Sequence, residues 1–346
     1  MTSSRPRRRP PKLLPALAWQ LLLAVVACAA LVAWLLPSGA WGQVMAALAA
    51  TDPLPVLAAL AVYPLLPVVR ARRLQIALGG SAASPSPGLW PMTWVAALHS
   101  VLASFAPMRL GELSLVWLLN RAAGTPLAAG SALLVALRMI DLVIVLAAGV
   151  LALALLPAAR DAVPHGVTLA GGAAAAMLGG LLLAPWVAGR LRHLTPFGGA
   201  GRLARVWETL VQALAALTPG VLARLLAWTV AAWGLIFLMA WLCANSTPAP
   251  VGLAGGVAGG SATALASVLP VNTFANAGTF EAAWVLALMP AGLDEATALV
   301  TGIVFHAVNL LGSALLGGLA ALIGPGRRAP ETRPRDKQES EPGSAR

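Results

Sequence analysis

A chain of 346 residues that is 59% hydrophobic, 10% charged and of mean hydropathy +0.82 keeps no soluble domain of useful size once its apolar segments are set aside. The formal charge of +11 does not point to nucleic acid. Its basic residues lie in short clusters between apolar runs, the positive-inside pattern of cytoplasmic loops, with no basic stripe or reading motif. Cys28 and Cys243 sit in apolar segments and read as packing residues, while His99, His165, His193 and His306 show no ligand spacing. No phosphate loop, dinucleotide fingerprint or nucleophile elbow occurs, so the expectation is no cofactor, no metal, no catalytic residue and no enzyme activity.

In chain order, residues 1–12 carry Arg5, Arg7, Arg8, Arg9 and Lys12 and read as a disordered basic cytoplasmic tail. The apolar run 13–36 exceeds the core of a secretory signal, so it reads as an uncleaved spanning helix. A second span covers about 54–69 and stops at Arg70, Arg72 and Arg73, cations that place its end in the cytoplasm. Residues 93–106 are too few to cross; they meet Pro107, pass Arg109, Gly111 and Glu112, and run on as a second short apolar piece to Arg121. Two short pieces broken at a proline predict a re-entrant hairpin, tolerated at that depth only where protein or water surrounds the backbone.

Residues 127–156 form a full span interrupted by Arg138 and Asp141, and 167–187 return. Leu203, Trp207, Leu210, Leu214 and Leu217 recur at helical spacing, which predicts an amphipathic helix lying in the interface. Residues 221–243 cross again. A second hairpin follows, with 252–269 and 280–289 broken at Pro270, and its paired glycines from Gly255 to Gly260 permit close helix contact. A last span, 296–323, leads into a polar tail, 324–346. The predicted fold is an all-α polytopic integral membrane protein: about six full crossings plus two re-entrant hairpins in one membrane domain, 13–323, with both termini cytoplasmic.

The two hairpins echo one another. Ser104, Pro107, Gly111, Glu112, Gly124, Arg138 and Asp141 match, in order, Ser267, Pro270, Gly278, Glu281, Gly292, His306 and Asn309. Repeat one spans about 54–157 and repeat two about 221–323, with three crossings between the hairpins. An odd number inverts the second copy, and inverted repeats with broken helices are the architecture of alternating-access transporters.

Charges at membrane depth cost roughly 2.5–3.5 kcal/mol each on insertion scales and so face protein or a wet cavity. Arg109 with Glu112, and Arg138 with Asp141, stand at i, i+3. Each pair can simply neutralise itself and support packing. Alternatively, a broken helix exposes backbone donors, and a nearby arginine completes a site for an anion such as a lipid phosphate. Glu281 has no local cation in sequence; it needs Arg109 or Arg138 from the other repeat, a substrate cation, or a proton. His306 reads more readily as a hydrogen-bonded core histidine than as a titrating group, and Arg121 as a cation snorkelling to the interface.

The run from Pro107 through Arg109, Gly111 and Glu112, then Arg121, Gly124 and Arg138-Met-Ile-Asp141, resembles the lysylphosphatidylglycerol synthase transmembrane-region family. So does Leu269-Pro270 leading to Gly278 and Glu281, although family members usually carry more glycines between those points. The resemblance implies a bacterial inner-membrane protein that moves or helps process a lipid, like the flippase half of those synthases. Some members stand alone and are linked to hopanoid synthesis or glycosyltransferases. From the charged positions and the repeat, Arg109, Glu112, Arg138, Asp141, Glu281, His306 and Asn309 are the expected translocation residues, with Pro107, Gly111, Pro270 and Gly278 shaping the hairpins. The 23 residues after 323 are too few for an aminoacyl-transferase domain, so lipid aminoacylation is not expected. Membrane lipids are the expected partners. The rival reading is an accessory subunit of a lipid-modifying enzyme or glycosyltransferase.

Overall fold

The computed structural model describes residues 40–79, 87–105, 110–158, 165–191, 218–268 and 274–325, with isolated positions at 204, 207, 208, 211 and 215. Every regular element among them is helical. That is the bilayer's requirement, since no water reaches backbone amides there and a helix satisfies them within itself. Five segments are long and apolar enough to cross: Pro53–Gly79, Leu127–Leu155, Gly166–Leu191, Pro219–Ala244 and Glu295–Ile323, of 26 to 29 residues. At 1.5 Å per residue they run about 40 Å, longer than a ~30 Å hydrocarbon core. They are five of the six expected crossings. The sixth, residues 13–36, lies outside the described residues, as do both expected tails apart from Gly324 and Pro325.

A short helix, α1 (Ala40–Ala49), precedes the first described span. That span comprises α2 (Pro53–Val62) and α3 (Leu65–Gly79). Asp52 starts it by accepting the Leu54 amide at 2.9 Å, with Pro53 at the first helical position. The break between α2 and α3 falls at Tyr63-Pro64, where proline withholds an amide from the helical ladder. The expected stop at Val69 is corrected: α3 carries Arg70, Arg72 and Arg73 on to Gly79. Two of those arginines find polar partners inside the bundle, so the charges do not end the helix.

The first hairpin is α4 (Leu89–Phe105) and α5 (Leu110–Ala123), packed on each other. Gly111 makes the approach possible, since a Cβ there would sit 2.1 Å from the Leu102 carbonyl oxygen. Then come α6 (Leu127–Leu155), α7 (Gly166–Leu191) and α8 (Pro219–Ala244). The second hairpin is α9 (Leu253–Val268) and α10 (Thr279–Leu288), and α11 (Glu295–Ile323) closes the bundle. Pro107, Arg109 and Pro270 lie outside the described residues. Of the interfacial helix, Ala204, Trp207, Glu208, Val211 and Ala215 are helical, and the rest lies outside them too.

The order long, short, short, long therefore occurs twice, and the packing repeats with it. Within each half the hairpin arms pack on each other, and the first arm on the preceding long helix. Each first arm also reaches across: α4 packs on α11, and α9 packs on α6. The last long helices both have 29 residues, so positions within them can be compared directly. Arg138 and His306 are both twelfth, and Asp141 and Asn309 both fifteenth. Gly149 and Gly317 are both twenty-third, and each faces a crossing hairpin arm. Gly124 and Gly292, matched in sequence, both take left-handed backbone, at φ 69° and 100°, three residues before those helices begin. Three long helices separate the hairpins, so a chain crossing at each meets the second hairpin from the opposite face.

The exchanged contacts give a stability test. A Cβ on Gly317 would lie 2.5 Å from Val101 Cγ1, whereas one on the adjacent Gly318 meets nothing within 4 Å. Gly317→Val is expected to lower unfolding stability in detergent by about 1–3 kcal/mol. Gly318→Ala is expected to leave the same thermal midpoint unchanged.

Candidate functional site

Asp141 is the middle residue of α6, a helix about 43 Å long, so it sits near the centre of any bilayer the helix crosses. A carboxylate at that depth requires a partner. Arg73 of α3 supplies it through a two-pronged contact, with Nη1 donating to Oδ1 and Nη2 to Oδ2 at 3.0 Å. Trp233 Nε1 of α8 donates to Oδ1 at 3.1 Å, and Arg73 Nη1 lies 3.4 Å from Thr229 Oγ1. Three spans thus meet at one buried pair, with side chains only 12% and 10% exposed.

One turn earlier on α6, Arg138 reaches α5. Its Nε donates to Glu112 Oε2 at 2.9 Å, and Nη2 donates to the same oxygen. Arg138 Nη1 stands 3.8 Å from Asp141 Oδ2, which joins the two pairs into one network. This second pair is open, at 46% and 36% exposure. Charges exposed at mid-helix cannot face acyl chains cheaply, so this side of the cluster calls for water or polar groups beside it. His99 of α4 completes the wall, with Nε2 3.4 Å from Arg138 Nη2 and Nδ1 3.0 Å from Ser114 Oγ. Arginine only donates, so Nε2 is the acceptor and Nδ1 carries the proton. Ser114 in turn donates to the Gly111 carbonyl at 2.5 Å.

Arg70 of α3 points to the same region and donates to Ser100 Oγ of α4 at 2.9 Å. Among the described residues no carboxylate lies within ion-pair distance of it. The described cluster therefore holds three guanidinium groups, Arg70, Arg73 and Arg138, against two carboxylates, Glu112 and Asp141.

The second half carries the matching pair. Glu281 of α10 meets His306 of α11, with Oε1 2.6 Å from Nδ1, and its Oε2 accepts the Gly278 amide at 2.7 Å. His306 Nε2 stands 2.8 Å from the Ala275 carbonyl oxygen, and the Phe280 ring stacks on the imidazole at 4.2 Å. Glu112 with Arg138, and Glu281 with His306, thus occupy the same places in the two halves: an acid on the second hairpin arm against a base at position twelve of the next long helix.

Several expectations change on these contacts. The i, i+3 spacing of Arg138 and Asp141 does not give the principal pairing; each finds its main partner on another helix. Glu112 pairs with Arg138, and its expected neighbour Arg109 lies outside the described residues. Glu281 needs no arginine from the other repeat, because His306 of its own repeat reaches it. Asn309 turns back to the Phe305 carbonyl at 2.8 Å and does not join the pair. His306 is hydrogen-bonded and buried, as the core reading expected. Cys243 is buried and unpaired, a packing residue, and Arg121 lies over the Trp117 ring. Among the described residues no group of three metal-ligating side chains assembles.

Arg70 and Arg73 were absent from the expected site. The signal for them was the lack of any helix breaker between Val69 and Gly79, with both arginines on one helix face. His99, Thr229 and Trp233 carried no local signal.

Fold and site together define a polytopic helical membrane protein built from two matching halves, with paired charges at the heart of each. Residues 18–317 match the family model described as the lysylphosphatidylglycerol synthase TM region, and the chain belongs to that family. Comparison with curated proteins and with solved structures gives no match. Membership ties the chain to membrane lipids.

The buried pair makes its own prediction. Asp141→Ala leaves the Arg73 guanidinium buried and unpaired and is expected to cost about 3–5 kcal/mol of unfolding stability. Removing both charges, with Arg73→Met and Asp141→Leu, is expected to cost markedly less in a double-mutant cycle.

Proposed function

We propose that this protein is a lipid translocase of the bacterial inner membrane, with both termini in the cytoplasm. A polar, phosphate-bearing headgroup passes through the charged opening at Glu112 and Arg138, between the two hairpins. The observation that carries this reading is the excess of guanidinium over carboxylate at mid-membrane, in a cluster whose Glu112–Arg138 side is open. An arginine fork matches a phosphate bidentately. Arg70, whose hydrogen bond goes to the Ser100 hydroxyl and not to a carboxylate, is the group assigned to take the anion. Arg73 and Asp141 form the buried support, and Arg138 swings between Glu112 and the headgroup. Arg109, expected in translocation on its place in the sequence motif, lies outside the described residues.

A groove of about 560 Å³ lined by Arg72, Gln75, Arg224 and Trp228 lies where α3 ends and α8 begins. Its volume falls within the range of small-ligand sites, and its two arginines suit a headgroup arriving from the cytoplasmic leaflet. The reading assigns the protein no catalytic chemistry of its own. An accessory role beside a lipid-modifying enzyme or glycosyltransferase is the rival, and no contact described above favours it.

Reconstitution into vesicles carrying a trace of headgroup-labelled anionic phospholipid tests the reading, with leaflet movement followed by chemical quenching of the label. Wild-type protein is expected to move the label. Arg70→Ala or Arg138→Ala is expected to slow it at least about tenfold, the loss of one hydrogen bond to a charged group. Absence of movement for every phospholipid tried would sink the proposal.

A further inference from the structure

The ring of His306 has an acceptor on each side. Nδ1 lies 2.6 Å from Glu281 Oε1 and Nε2 lies 2.8 Å from the Ala275 carbonyl oxygen. A neutral imidazole offers one N–H and one lone pair, so it cannot serve two acceptors. Two proton arrangements fit the distances. Either an imidazolium faces a carboxylate, or a carboxylic acid donates to Nδ1 while Nε2–H donates to Ala275. Glu281 Oε2 accepts the Gly278 amide at 2.7 Å, so the proton lies on the Oε1 side in both cases. Both arrangements contain the same two protons. Removing one sets lone pair against lone pair at one of the two contacts. The charge-assisted bond from Nδ1–H to the carboxylate is the stronger and is kept, so the Ala275 contact parts.

The contact at Ala275 holds a strained turn. Ala275 at φ 54° and Asn276 at φ 60° are consecutive left-handed residues with side chains, each costing roughly 1–2 kcal/mol. They lie just before α10 and rest against α4, the arm that carries His99 and Ser100. The matching pair in the first half lacks this property, because the guanidinium of Arg138 does not deprotonate in proteins. One structural position thus holds a fixed charge in one half and a titratable group in the other.

We propose that the start of the second hairpin's second arm is a proton-operated gate, in which one proton held between Glu281 and His306 docks residues 274–278 on α11 and its release undocks them. This rests on the translocation reading above and names its coupling ion: a headgroup crossing is linked to the uptake and loss of a proton at Glu281 and His306.

The other charged groups on the elements packed around the pair are engaged elsewhere or stand apart from it. Among helices packed on α10 or α11, α1, α2 and α9 carry no ionisable side chain. On α4, His99 is engaged by Ser114 and Arg138. On α8, Cys243 is buried in the core, and Arg224 sits at the start of the helix and donates to its own helix at Gly220. Asp294 caps α11 at Thr297, and Glu295 lies eleven residues from His306, about 16 Å along the helix. Tyr63, between α2 and α3, packs at Gly312, a turn and a half beyond His306.

Glu281→Gln is the decisive variant. Glutamine can donate to His306 Nδ1 and accept from Gly278, reproducing the proton-loaded arrangement with no proton to lose. Hydrogen exchange of residues 274–285, measured on full-length protein in nanodiscs and corrected for intrinsic rates, is expected to show wild-type protection falling as pH rises. One proton per opening gives about a tenfold change in the open-to-closed ratio per pH unit. Glu281→Gln is expected to stay protected at every pH, and His306→Ala to stay exposed. In the labelled vesicles an imposed pH gradient is expected to bias movement for wild type and not for Glu281→Gln. Wild-type protection as insensitive to pH as that of Glu281→Gln would overturn the gate, whatever the transport result. Sensitive protection without lipid movement would keep the gate and remove only the translocation reading.

Discussion

A charge at the middle of a bilayer must be answered by another group at the same depth, and much of this bundle is arranged to meet that demand. Asp141 is answered by Arg73 and Trp233, which come from two other spans, and Thr229 stands beside Arg73. Glu281 is answered by His306 and the Gly278 amide. In both cases the contact is made between helices, so satisfying the charge also fixes how helices sit. Replacing the buried Arg73–Asp141 pair by apolar residues would be energetically tolerable in principle, because desolvation offsets much of the attraction between buried ions. The open pair beside it is different. Glu112 and Arg138 keep much of their surface accessible, and an accessible ion pair at that depth contributes little to stability and has room to exchange partners.

The two halves solve the same packing problem with exchanged arms. Each hairpin's first arm packs within its own half and also lies on the last long helix of the other, where a glycine at position twenty-three allows the approach. Rocking one half against the other would therefore move both hairpins at once. Repeats of this kind place their substrate where the broken helices meet. The chemical difference between the halves is concentrated at position twelve, arginine in one and histidine in the other.

Much of this was legible in the sequence because it depends on local pattern. Broken apolar runs predicted the hairpins, hydropathy predicted the long spans, and the ordered match from Ser104 to Asp141 against Ser267 to Asn309 predicted the repeat. Glu112, Arg138, Asp141, Glu281 and His306 all proved to be engaged with charged or titratable partners. The choice of partner was not legible. Spacing within one helix pairs Arg138 with Asp141, but which neighbour a long guanidinium reaches depends on a third dimension that spacing does not contain. Arg70 and Arg73 were misplaced because a cluster of cations after an apolar run is the usual mark of an interface. Their depth follows from acceptors on α4 and α6, some 30 and 68 residues away in sequence. Gly149 and Gly317 were hidden for the same reason in a chain with 34 glycines.

The account's central claim is that a lipid headgroup enters the opening beside Glu112 and Arg138. A density map of the protein in nanodiscs made from anionic phospholipid tests this most directly. The expected map holds phosphate density between the hairpins, within hydrogen-bond reach of Arg138 or Arg70. A map in which acyl chains or packed side chains fill that opening, with every headgroup at the membrane surface, would contradict it.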